Sequence, residues 1–119
     1  MGIKITIPCR VHPSLNEWKN WHWTKVGREK VSWEKEIYYE LKLAKAPLFK
    51  FPKVKITYYF KDKRARDKDN YAPKFILDGI KKAKVIIDDS VLKSICDWEL
   101  LIGTGETKTV IEIEEKENK

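Results

Sequence analysis

The sequence predicts an α/β (α+β) domain, a mixed four-stranded sheet with two helices in the order β-α-β-α-β-β. Two periodicities point there. Four segments alternate apolar and polar residues with the period of a half-buried strand, and two others repeat apolar residues at the three- and four-residue spacing of one helix face. A length of 119 residues suits one domain, residues 1–119, with a genuine core.

The first strand is Ile3, Ile5 and Ile7 alternating with Lys4 and Thr6, and Pro8 ends it. Residues 10–25 are irregular by pattern, with His12-Pro13-Ser14 as turn punctuation. They hold Trp18, Trp21 and Trp23 among Lys19, Asn20 and Lys25. Two readings of these tryptophans stand open: packing at a core edge or subunit interface, or a platform on which exposed bases stack. His12 and His22 have no partner at metal-ligand spacing and read as ordinary polar residues. Over residues 27–46, Trp33, Ile37, Leu41 and Ala44 form one apolar stripe, with Glu29, Lys30, Glu34 and Lys35 opposite and Pro47 as the stop.

A clear strand follows over residues 54–61, with Val54, Ile56, Tyr58 and Phe60 on one face. For the second helix, Asn70 is the expected N-cap and Pro73 falls in the first turn. Ile76, Ile80 and Ala83 give its buried face, with Leu77 beside it. The apolar run Val85-Ile86-Ile87 ends in a turn at Asp88-Asp89-Ser90. Cys96, Trp98, Leu100 and Ile102 then alternate, Gly103-Thr104-Gly105-Glu106 reads as a hairpin connection, and residues 108–114 return with Thr109, Ile111 and Ile113 on one face. Residues 115–119 read as a frayed tail.

Composition narrows the partners. A net charge of +7 points to a polyanion, nucleic acid above all. Cys9 and Cys96 make neither a metal spacing nor a disulfide framework, and both read as buried thiols in a reducing compartment. No apolar run reaches the roughly 18 residues that span a bilayer, and no secretory signal opens the chain. The expected location is the cytoplasm, away from membranes.

The chemistry concentrates in Arg66-Asp67-Lys68-Asp69-Asn70, then Lys74, then Asp88-Asp89. In extended backbone Asp67 and Asp69 would point to one side. Two carboxylates that close repel unless a cation lies between them. Hard oxygens of this kind suit Mg²⁺, which takes one or two carboxylates and completes its shell with water and phosphate. Lys74 would sit in the opening turn of the second helix, within reach of whatever the aspartates bind. Taken alone, the cations Lys61, Lys63, Arg64 and Arg66, with Lys68, read as a solvated loop; beside a metal-dependent phosphodiesterase site they would contact the phosphates flanking the scissile one. A calcium loop is excluded, because Ala72 and Asp78 stand where it needs Gly and Glu. Asp88 and Asp89 lack the carboxylate-x-Lys pattern of restriction-type nucleases. There is no Gly-rich phosphate loop, nucleophile with a base, or zinc ligand set.

Asp67-Lys68-Asp69-Asn70, Lys74, Asp78 and Asp88-Asp89-Ser90-Val91, with Pro13-Ser14-Leu15-Asn16 near the start, resemble the RusA family of Holliday junction resolvases. The resemblance spans most of the chain and its motifs are fairly specific. It implies a small homodimeric Mg²⁺-dependent endodeoxyribonuclease, Mn²⁺ substituting, that makes paired symmetric nicks in four-way junction DNA during recombination and repair. Asp67, Asp69 and Asp89 carry over as catalytic metal ligands, Asp88 as a supporting partner and Lys74 as the catalytic lysine. One departure stands out. The family places the lysine four positions after the second aspartate, whereas Lys74 lies five after Asp69, which implies one inserted residue within Tyr71-Ala72-Pro73. The alternatives are a metal-dependent nuclease for other branched or single-stranded DNA, and a non-catalytic DNA-binding module.

Overall fold

The computed structural model describes residues 2–49, 52–83 and 98–115. Its elements are β1 (Gly2–Pro8), α1 (Leu15–Trp18), α2 (Trp23–Leu43), β2 (Pro52–Phe60), a 3₁₀ turn (Lys68–Tyr71), α3 (Lys74–Lys82), β3 (Trp98–Thr104) and β4 (Lys108–Glu115). The strands form one sheet in the order β1-β4-β2-β3. β4 runs antiparallel to both β1 and β2, while β2 and β3 are parallel, so the expected mixed four-stranded sheet is present.

Strand periodicity builds the core directly. The register sets Ile5, Ile111, Ile56 and Leu100 side by side across the sheet, and all four are buried. Against this face lie Trp33, Ile37 and Leu41 of α2 with Phe75, Ile76 and Ile80 of α3. Each such side chain contributes on the order of 2 kcal/mol by leaving water, so burial rather than helix propensity holds the layers together. α2 and α3 approach closely at Gly79, where a Cβ would meet Ile37 Cδ1 at 3.0 Å. Ion pairs Lys30–Asp78 and Lys82–Glu34, both 3.5 Å, flank that contact. The other face of the sheet, Val110 apart, is largely polar for an equally local reason. Lys4, Glu112, Lys55 and Glu99 fall in one register row across the four strands, alternating in sign, and Lys55 reaches Glu112 at 3.9 Å.

Several expectations are corrected. A third helix, α1, occupies the stretch read as irregular. Its cause is a capping box: Glu17 N–H donates to Ser14 Oγ at 3.3 Å and Ser14 N–H to Glu17 Oε1 at 3.3 Å. α2 starts at Trp23 rather than residue 27 because the His22 ring nitrogen accepts the Thr24 N–H at 3.2 Å and caps it. It ends at Leu43, with Ala44 as an exposed C-cap outside the buried stripe, and Lys45 at φ 54 turns the chain away before Pro47.

The hairpin at residues 103–106 does not form. Neither Gly103 nor Gly105 takes the positive φ that a tight hairpin turn requires. Instead Gly105 N–H bonds the Phe60 carbonyl at 2.9 Å, and the chain crosses the end of β2 to reach β4 on its far side. Cys9 is exposed, at φ 64, rather than buried. Residues 84–97, with the Val85-Ile86-Ile87 run, Asp88, Asp89 and Cys96, lie outside the described residues, as do residues 116–119 of the expected tail; Glu115, its first residue, is not frayed but ends β4 opposite Pro52.

Candidate active site

The stretch after β2 is organised by its own side chains. The Asp62 carboxylate accepts the Arg64 N–H at 3.0 Å and the Arg66 guanidinium at 2.9 Å. These two donors, the backbone one foremost, hold the Asp62 carboxyl below its usual range. Arg66 also donates to the Arg64 carbonyl at 3.0 Å and lies 3.7 Å over the Phe60 ring. Its side chain is only 12% exposed. Arg66 therefore closes the loop, and Lys61, Lys63, Arg64 and Lys68 face solvent around it.

Asp67 ends the loop in extended backbone, φ −84 and ψ 120, but the extension stops there. Its carboxylate accepts the Asp69 N–H at 3.0 Å and its carbonyl the Asn70 N–H at 3.0 Å, which starts the 3₁₀ turn. The expected strand-like pair of aspartates is thus replaced by a turn in which Asp67 caps the segment holding Asp69. Both aspartates remain exposed, and among the described residues neither forms an ion pair.

Asn70 does not cap α3. Its side-chain oxygen accepts the Asn16 N–H at 3.0 Å, bracing the turn against α1. Tyr71 then packs edge-on to Phe60, centroids 5.5 Å apart. Pro73 is the N-cap residue rather than a first-turn residue, and Lys74 opens α3 in the expected place, exposed.

One residue acquires a role its sequence context did not suggest. His12 is wholly buried, and its Nε2 accepts the Phe75 N–H of α3 at 3.2 Å. Burial pushes its pKa down to about 4. No local signal could have revealed this, since the partners are 63 positions apart. The tryptophans divide: Trp18 packs on Phe75 with centroids 5.5 Å apart, Lys25 sits 4.2 Å over the Trp21 ring, and Trp23 is 77% exposed.

Among the described residues no group of three or more His, Cys, Asp or Glu side chains gathers as a metal site. Asp88 and Asp89 lie outside them. The donor set that is described nonetheless fits a hard divalent cation. Among the described residues Asp67 keeps its second oxygen and Asp69 its whole carboxylate for a ligand, and one or two carboxylates are what Mg²⁺ takes alongside water and phosphate. Among the described residues no helix is long and apolar enough to cross a membrane.

Comparison with known families gives a match over most of the chain. The family model described as Endodeoxyribonuclease RusA covers residues 10–114, from just after β1 into the last residues of β4. No curated protein matches the chain.

Proposed function

The chain belongs to the endodeoxyribonuclease RusA family, hydrolases that resolve Holliday junctions, and from that premise we propose a divalent-metal site made by Asp67, Asp69 and Asp89. Bound there, Mg²⁺ or Mn²⁺ would supply Lewis acidity, activating a water toward phosphorus and offsetting charge on the leaving 3′ oxygen. Asp67 and Asp69 would hold the cation through the oxygens that the turn leaves free among the described residues, with Asp89 as the third ligand and Asp88 in the supporting role the family resemblance implies. The Lys74 ammonium stabilises the extra negative charge of the pentacoordinate phosphorus. Lys61, Lys63, Arg64 and Lys68 bind phosphates on either side, and Arg66 joins that interface chiefly by shaping the loop that presents them. A four-way junction is two-fold symmetric, so paired nicks call for two sites in a C₂ homodimer. The reading places the protein in the cytoplasm, acting in recombination and repair.

The observation that carries this reading is the acid turn. Asp67 and Asp69 are exposed, unpaired among the described residues, braced to α1 through Asn70, and followed at once by the helix that Lys74 opens. The test is a Mg²⁺ titration of cleavage on a synthetic four-way junction, with flap and linear duplex as controls, for the wild type and Asp67→Asn. Asp67→Asn should lose cleavage while still binding the junction. Loss of both together would assign the acidic cluster a structural role. Equal cleavage of junction and duplex would replace resolution by general nuclease activity.

A further inference from the structure

α3 begins without a cap of its own. Pro73 stands at the N-cap position, φ −85 and ψ 57, with no side-chain acceptor to offer. The first amides of a helix have no partner inside it, and Ser, Thr, Asp or Asn at the N-cap ordinarily supplies one. Here the acceptor is His12 Nε2, 3.2 Å from Phe75 N and 63 positions away in sequence.

The ring is fixed for that task. Nδ1 lies 2.7 Å from the Pro13 carbonyl, so it carries the proton and leaves Nε2 with the lone pair. The ring packs between Phe75, centroids 4.6 Å apart, and Trp33, 6.2 Å. The strap that carries it is anchored two residues earlier. The Arg10 guanidinium sits 4.1 Å over Trp33 and bonds Ser32 at 2.9 Å, Glu36 at 2.7 Å and Glu29 at 2.6 Å. From β4, Thr109 Oγ1 donates to the Arg10 carbonyl at 2.8 Å. The strap is thus tied to both α2 and the sheet, so the ring is held by contacts other than those it makes to α3.

We infer that His12 is a positioning residue for Lys74: by accepting the Phe75 N–H it fixes where α3 begins, and so where the lysine stands relative to Asp67 and Asp69. Lys74 is exposed and forms no ion pair among the described residues, so backbone placement is what aims it. A displacement of about 1 Å is enough to slow a positioned reaction by up to about a hundredfold. The inference rests on the role given to Lys74 above.

The test is single-turnover cleavage of a four-way junction by His12→Phe, His12→Gln, Lys74→Ala and the His12→Phe/Lys74→Ala double variant, with folding checked by circular dichroism. Phe keeps a ring in the stack and removes the acceptor, while Gln restores an oxygen at similar reach. His12→Phe should slow the cleavage step about tenfold or more, leaving junction affinity within about twofold. His12→Gln should recover most of the rate. In the Lys74→Ala background His12→Phe should add almost nothing, because the two act through one group. A folded His12→Phe at the wild-type rate, a folded His12→Gln as slow as His12→Phe, or fully additive losses would each overturn the inference. If His12→Phe does not fold, the rate of His12→Gln decides, near wild type for and well below it against. Lys74→Ala cutting at the wild-type rate would sink the reading of the site itself, and this inference with it. Lys74→Ala slow beside a normal His12→Phe would sink only the inference.

Discussion

Asn16 donates its backbone N–H to the side-chain oxygen of Asn70 at 3.0 Å, across 54 positions of sequence. Asn70 is gripped from its other side as well, its own N–H bonded to the Asp67 carbonyl at 3.0 Å. One residue thereby ties α1 to the turn that carries Asp67 and Asp69. This gives physical sense to two distant sequence features, Pro13-Ser14-Leu15-Asn16 and Asp67-Lys68-Asp69-Asn70, standing in one chain.

Replacing Asn70 should therefore separate stability from catalysis. The bond to Asn16 is exposed, so Asn70→Ala should lower stability by only about 1 kcal/mol, a few degrees of melting temperature for a domain of this size. Junction cleavage should fall further, about tenfold, because the turn loses its brace. Asn70→Asp keeps an acceptor oxygen for the Asn16 N–H and should melt close to wild type. Thermal melts beside single-turnover cleavage check both; equal, small losses in the two would make Asn70 merely a structural contact.

Arg66 yields a sharper prediction through its geometry. A phosphate contact tolerates lysine, but a guanidinium stacked 3.7 Å over Phe60 while it bonds Asp62 and the Arg64 carbonyl does not. Arg66→Lys should weaken junction binding nearly as much as Arg66→Ala, by about fivefold, consistent with roughly 1 kcal/mol for such a stack. Wild-type affinity in the lysine variant would show that charge alone matters at this position.

How legible the molecule was depended on the range of each interaction. The strand alternations at Ile3, Ile5 and Ile7 and at Val54 to Phe60 decided their own faces, because period two is a property of the backbone. The Trp33, Ile37, Leu41 stripe and the Ile76, Ile80 pair did likewise for the helices, and Lys74 fell where expected. Where a local motif competed with tertiary pairing, pattern failed. Gly103-Thr104-Gly105-Glu106 has hairpin chemistry, yet β2 takes the place between β3 and β4. Asn70 has cap chemistry, yet it serves α1 while His12 caps α3. The α1 start, by contrast, is local: Ser14-Leu15-Asn16-Glu17 is a capping box in plain sequence. The aspartates were legible as a pair, but not the turn that Asp67 imposes on Asp69.

The exposed cations make a prediction about salt. If Lys61, Lys63 and Lys68 each neutralise a phosphate, removing any one should reduce the steepness of log affinity against log salt by about 0.9. Binding should weaken alike for junctions of different sequence, since phosphate contacts read none. Lys53→Ala on the open sheet face is the control and should leave the slope unchanged. Titrating a labelled junction at several KCl concentrations decides it; an unchanged slope for all three loop variants would place the DNA on another face.

His12 should make the fold acid-sensitive in a defined window. Its pKa moves from 6.5 to about 4, first through burial, with Arg10 also pressing it down and Glu29 and the Pro13 hydrogen bond opposing. Above pH 6.5 the ring is neutral folded and unfolded, and titration costs nothing. As pH falls from 6.5 toward 4 the unfolded chain takes up a proton that the folded chain refuses, so stability drops with acidification. Below about 4 both states are protonated and this contribution levels off. The two values set a ceiling of roughly 3 kcal/mol. Carboxylates titrate in the same region, so the comparison must be internal: denaturant unfolding of wild type and His12→Phe at matched pH. The Phe variant gives up the Phe75 hydrogen bond and should be the less stable at pH 7.5. The gap between the two proteins should narrow steadily from pH 6.5 to 4, because only the wild type carries the protonation penalty. A gap constant across that range would mean that the ring binds its proton as readily folded as unfolded, and that it does not hold α3 as a neutral acceptor.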